Sequence, residues 1–217
     1  QVLYVRENDY PILADTGIRT LLDLYERKPK GEDLPDLQLM AIEDIHHKVR
    51  EFNDDPEVVA LAKKTVESSI TMIKRYKNIS HLLQTMKKNA DYIYDHSLRV
   101  SYISIAIAKH TEWSSDNTCF KLSLAAMMHD MTLPHQRLAR IERLNDPNLQ
   151  KFSPEEIEAV QNHPHEAATL IRENKQLPAD IDFIVAQHHE LPDGSGFPRG
   201  LSRLRISPLA CVFILAH

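Results

Sequence analysis

Histidine recurs at the core-facing position of one helical pattern after another in this chain, and that constrains the fold more than any other feature. His96 shares a helical face with Val100, Ile103 and Ile107. His129 follows Leu122, Ala125 and Ala126 at i−7, i−4 and i−3. His163 follows Ala159 and Val160, His188 follows Ile181, Ile184 and Val185, and His217 follows Ala210, Phe213 and Ile214. At helical spacing these positions are inward, often in a last turn. One such imidazole is ordinarily a structural residue with a hydrogen-bond partner. Several converging in a dry interior are costly unless something satisfies their nitrogens, and a divalent cation does so.

The remaining composition fits a folded, helical chain. Its 217 residues suffice for one good core, or one main domain and a small appendage. Five glycines and 6% aromatic residues lean towards helix, and 42% hydrophobic content excludes a disordered chain. A net charge of −5 argues against a general DNA or RNA binder. Cys119 and Cys211 form no CxxC pair, so neither a disulfide framework nor a cysteine zinc site is expected, and the setting is read as reducing and cytoplasmic. No apolar run reaches membrane-spanning length. The chain ends inside an apolar run, Leu209 to His217, which reads as a C-terminally incomplete domain.

The predicted class is mainly α, a helical bundle with a small N-terminal α/β or helical module. Residues 1–32 form that module, with a strand at Val2 to Arg6 and a helix capped by Asp15 or Thr16. Residues 33–89 are connecting helices: one from Leu37 to Phe52, then a long one opened by Asp55 and Pro56 and carrying its apolar stripe through Met86. Residues 63–88 hold seven Lys/Arg and one Glu, which reads as a solvated face ahead of a dimerising or phosphate-facing one. Residues 90–217 form the metal-binding domain, with helices near 92–111, 116–130, 154–162, 164–174 and 178–190, and a last one from Ser207. His46, His47, His81 and His110 are left as surface or structural residues.

Two pairs sharpen the metal reading. His129–Asp130 sets an imidazole beside a carboxylate, and a carboxylate can bridge two cations while imidazoles complete each sphere. His188–His189 offers two nitrogens about 100° apart around a helix axis. The glycine-rich loop Asp193 to Arg199 follows immediately. Gly194, Ser195 and Gly196 would allow close backbone approach to a ligand, with Arg199 near a phosphate.

From His96 through Met128-His129-Asp130, His163-Pro164 and His188-His189-Glu190 to Asp193-Gly194-Ser195-Gly196-Phe197-Pro198, the chain resembles the HD-GYP family over about residues 90–217. That resemblance implies an HD-domain helical bundle with two divalent ions, iron or else manganese, and hydrolysis of cyclic di-GMP or a related dinucleotide. It implies one ion held by His96, His129 and Asp130, and a second sharing Asp130 with His163, His188 and His189. The last ligand is His217, or an Asp just past the chain end. Asp130 is the residue expected to carry catalysis, by in-line attack of an activated water. His165 is the fallback for His163.

Against the family pattern, Leu133 stands for a lysine, Phe197 for the GYP tyrosine, Ala167 for a glycine, and Tyr92 for an acidic residue. The losses at Leu133 and Phe197 make weak turnover the expectation, and Tyr92 favours two ions over the three that some members hold. The alternative is a binding or interaction module on the same scaffold, with a diguanylate cyclase (GGDEF) protein as partner and a dimer as an allowed state.

Overall fold

The computed structural model describes residues 10–29, 33–48, 55–76, 78–86 and 91–217. Among them the chain is helical: α1 (Tyr10–Glu26), α2 (Leu34–His47), α3 (Pro56–Arg75), α4 (Ile79–Thr85), α5 (Tyr92–Lys109), α6 (Asp116–Met128), α7 (Pro154–Glu173), α8 (Ile181–Ala186) and α9 (Pro208–Ala216). The only strand-like pairing among these residues is an isolated bridge between Asp193 and Ser202. The strand expected at Val2 to Arg6 lies outside the described residues.

Local chemistry starts most of these helices. The Asp55 carboxylate accepts from Glu57 N at 2.8 Å, and Pro56 follows at a position whose N–H has no helical partner. Ser153 and Glu156 form a reciprocal capping box, and Ser207 accepts from Ala210 N. Asp15 and Thr16 do not cap α1; they lie inside it, because the helix already begins at Tyr10. The long helix expected through Met86 is two helices. Tyr76 adopts extended backbone, and Asn78 caps a new start by accepting from His81 N, so the apolar stripe continues across a break in the hydrogen-bond ladder. Conversely, the two helices expected on either side of Pro164 are one, with the proline inside α7.

Helices α5 and α6 pack as the central pair. Small residues let them close up, and Ser101 and Ser123 hydrogen-bond across them at 2.7 Å. Helices α2 and α3 cover one side, where Gln38 of α2 is hydrogen-bonded by the Tyr102 hydroxyl of α5. Helices α7, α8 and α9 close the other. One apolar cluster runs from Ile18 and Leu21 of α1 through Val66, Ile105 and Leu122 to Phe213 of α9. The basic stretch of α3 faces solvent, with Lys64 on Glu26 at 2.8 Å and Lys74 on Asp116 at 2.9 Å. Such exposed pairs contribute little to stability. No helix among the described residues is long and apolar enough to cross a membrane.

Candidate metal centre

Apart from His96, which lies within α5, the cluster's histidines sit where helices end or falter, and that is what aims them. Helix α6 stops at Met128, so the Ala126 carbonyl is left free and His129 Nδ1 donates to it at 2.9 Å. Pro164 has no N–H to offer the carbonyl four residues back; His163 Nδ1 takes that Val160 oxygen instead, at 2.6 Å. Helix α8 ends at Ala186, and His188 Nδ1 donates to Val185 O at 2.6 Å. Three rings thus use one device, a bond to the carbonyl three residues earlier. It fixes the tautomer and leaves each Nε2 as a lone pair directed inward.

What the lone pairs meet is one carboxylate and one another. Asp130 Oδ2 lies 3.3 Å from His129 Nε2, while Oδ1 lies 3.3 Å from His163 Nε2 and 3.8 Å from His188 Nε2. His163 Nε2 and His188 Nε2 are 3.1 Å apart. Two compact donor sets result. Asp130, His163, His188 and His189 form one, and His96, His129 and His217 the other, with the atoms of each set within 4.8 Å of one another. Every residue expected from sequence to ligate is in this cluster. His165, the fallback for His163, faces solvent.

The electrostatics leave a set of neutral, buried donors that suits a cation. Burial pushes His129 down to about 4, and it lowers His96. Burial, joined by neighbouring imidazoles, lowers His188, His189 and His217 well below the usual range. Burial alone would raise Asp130, yet the imidazoles of His129, His163 and His188 outweigh it and hold the carboxyl well below its ordinary value. The result is a carboxylate ringed by neutral bases. Both Asp130 oxygens, His129 Nε2 and His96 Nε2 are buried without a hydrogen-bond partner. Buried polar atoms without partners are costly, and cations between the donor sets would satisfy them. The residues fit divalent metal with mixed nitrogen and oxygen ligation.

The glycine-rich loop is bolted to this cluster. Phe197 N donates to His189 O at 3.1 Å, and the Phe197 ring stacks on His189 with centroids 4.3 Å apart. Buried Glu190 accepts from Arg199 N at 2.8 Å and Leu201 N at 2.6 Å. Gly194 needs its freedom for a φ of 81°. At Gly196 the constraint is the chain's own backbone, since a Cβ would overlap His189, Glu190 and Leu191. Gly196→Ala is expected to lower stability by about 3 kcal/mol and to lower metal affinity through His189, read by thermal melts and metal titration. Ser195 binds Asp193 Oδ1 through both N and Oγ, and the Arg199 residue is exposed. Leu133 and Phe197 are both buried, in one apolar cluster with Ile93 and Val160.

Sequence reasoning left His46 as a surface or structural residue and Tyr92 as a lost acidic position, and it missed Glu142. His46 of α2 places Nε2 2.6 Å from Met127 O, bracing the end of α6 just before His129. Tyr92 stacks on His96 at 5.4 Å, and the Arg140 guanidinium caps the tyrosine ring at 3.9 Å. Glu142 Oε2 comes within 3.3 Å of His217 Nδ1. His46 and Glu142 lie on segments remote from the histidine helices or irregular, where no periodicity marks them.

A helical bundle whose helix ends converge on histidines around one Asp is the architecture of a metal-dependent HD domain. Residues 82–216 match the HD domain family HD_5. The chain is 30% identical over 154 residues to the cyclic di-GMP phosphodiesterase PA4108 of Pseudomonas aeruginosa, which covers 70% of this chain and 35% of that relative's length. Its structure resembles that of Bd1817, a HDG"Y"P protein from Bdellovibrio bacteriovorus, with a TM-score of 0.62 and 26% identity, over 97% of this chain and 66% of the other. This chain belongs to the HD domain family, in its HD-GYP branch.

Proposed function

We propose that the chain is a phosphodiesterase that hydrolyses cyclic di-GMP at a centre of two divalent ions, iron or manganese. One observation carries this reading: the two oxygens of Asp130 face different histidine sets, 3.3 Å from His129 on one side and 3.3 Å from His163 on the other. That placement supports a bridging role for Asp130. Bound there, such ions supply Lewis acidity that activates a water and offsets phosphoryl charge. In this reading His96, His129 and His217 hold one ion, His163, His188 and His189 the other, and Asp130 both. The backbone-anchored rings keep these donors in place without reorganisation. Gly194, Ser195, Gly196 and Arg199 form the rim against which the dinucleotide lies, Arg199 pairing with a phosphate.

A second reading is supported by Leu133 and Phe197. Both are packed into an apolar cluster, so neither brings a hydrogen-bond donor to a phosphate. A module that binds metal and dinucleotide and signals to a diguanylate cyclase, with little turnover, fits that packing. Metal analysis followed by a cyclic di-GMP assay with iron(II) or manganese(II) separates the two. About two ions per chain with linear product supports the phosphodiesterase. The same metal content with no product overturns it in favour of the binding module.

A further inference from the structure

We propose that Glu142 is an additional metal ligand, carried into the centre by the segment between α6 and α7; this rests on the reading of the histidine cluster as a metal site. Its Oε2 lies 3.3 Å from His217 Nδ1 and 4.0 Å from His189 Nδ1, and the three donors fall within 4.8 Å of one another. Two ligands each about 2.1 Å from a shared ion stand roughly 3.0 Å apart at a right angle and roughly 3.4 Å apart at the tetrahedral angle. The Glu142–His217 separation falls between those limits. His189 and His217 also belong to different donor sets, so the carboxylate stands across the mouth between the two.

The segment is built to hold it there. Arg140 lies 3.9 Å over the Tyr92 ring, which stacks on His96, and Ile141 is buried in an apolar cluster. Successive residues therefore point to the tyrosine, to the core and to the histidines. The Glu142 side chain itself keeps 46% of its surface exposed, so the centre is closed on its solvent side by a donor that water can reach. The chemistry is complementary. Apart from Glu142 the cluster has a single anionic ligand, Asp130, for divalent charge. A second carboxylate improves charge balance and adds the oxygen donor that iron(II) and manganese(II) favour.

The test uses the full chain and manganese(II) alone. Glu142→Gln, Glu142→Asp and Asp130→Asn are compared with the parent by metal content after dialysis, chelator competition and the manganese EPR spectrum. Glu142→Gln is expected to weaken one ion by about 10- to 100-fold, with an altered spectrum and partial recovery in Glu142→Asp. Equal stoichiometry, affinity and spectrum in Glu142→Gln, with metal lost in Asp130→Asn, overturns the assignment of Glu142 and leaves the centre intact. Metal retained undiminished in Asp130→Asn as well sinks the metal-site reading itself, and this assignment with it.

Discussion

Asp130→Asn is expected to empty the centre of metal and to weaken the metal-free protein as well. The side chain keeps its shape while losing the charge that faces both histidine sets at 3.3 Å. Without that anion, neither set retains the carboxylate that joins it to the other. Metal content should fall below one ion per chain, and any cyclic di-GMP hydrolysis by at least about 10³-fold. In chelator the sign is the same. The imidazoles of His129, His163 and His188 hold the Asp130 carboxyl well below its ordinary value, so the fold favours its charge. Removing that charge should lower metal-free stability at neutral pH, measured by denaturant melts in excess EDTA. A variant stabilised in EDTA and still loaded with metal would contradict both halves.

The second large effect is acid sensitivity of the metal-free protein. His129 is pushed by burial from 6.5 down to about 4, so between those values the unfolded chain binds a proton that the folded chain refuses. Its stability is complete above about pH 6.5 and is lost as pH falls towards 4. At about 1.4 kcal/mol per unit, His129 alone accounts for about 3 kcal/mol. His96, His188, His189 and His217 are shifted in the same direction, so the slope should exceed that of one proton. Asp130, held low, adds a loss of the same sign below its ordinary value of 3.8. Urea midpoints in EDTA at pH 7.5, 6, 5 and 4.5 test this; a flat profile would show that the imidazoles are not held neutral. Bound metal should flatten the upper part of the curve, because the ligands are then satisfied unprotonated.

Helical periodicity made much of this centre legible in the sequence. A candidate donor on an amphipathic helix betrays itself by sharing a face with Val100 and Ile103, as His96 does, or by closing a turn after Ala125 and Ala126, as His129 does. The caps at Asp55 and Ser207 are local as well, since the side chain binds a backbone N–H two or three residues away. What remained hidden depends on distance or irregularity. His46 braces a carbonyl 81 residues away, and nothing near it in sequence announces that. Glu142 stands in a segment of turns, outside any repeat. Pro164 misled because a proline usually interrupts a helix, whereas here the His163 ring takes up the carbonyl that the missing N–H abandons. The break at Tyr76 was concealed for the opposite reason, because apolar spacing persists when the backbone ladder does not.

The stacking of Phe197 on His189 makes the loop and the ligand one mechanical part. The loop residue holds the histidine twice, through its amide on His189 O and through its ring at 4.3 Å, and Gly196 leaves no slack between them. An occupant that presses the loop aside must therefore turn an imidazole of the histidine cluster. In the proposed reading, binding at the rim and coordination in the interior are geared together, so the occupancy of one should be readable in the spectrum of the other.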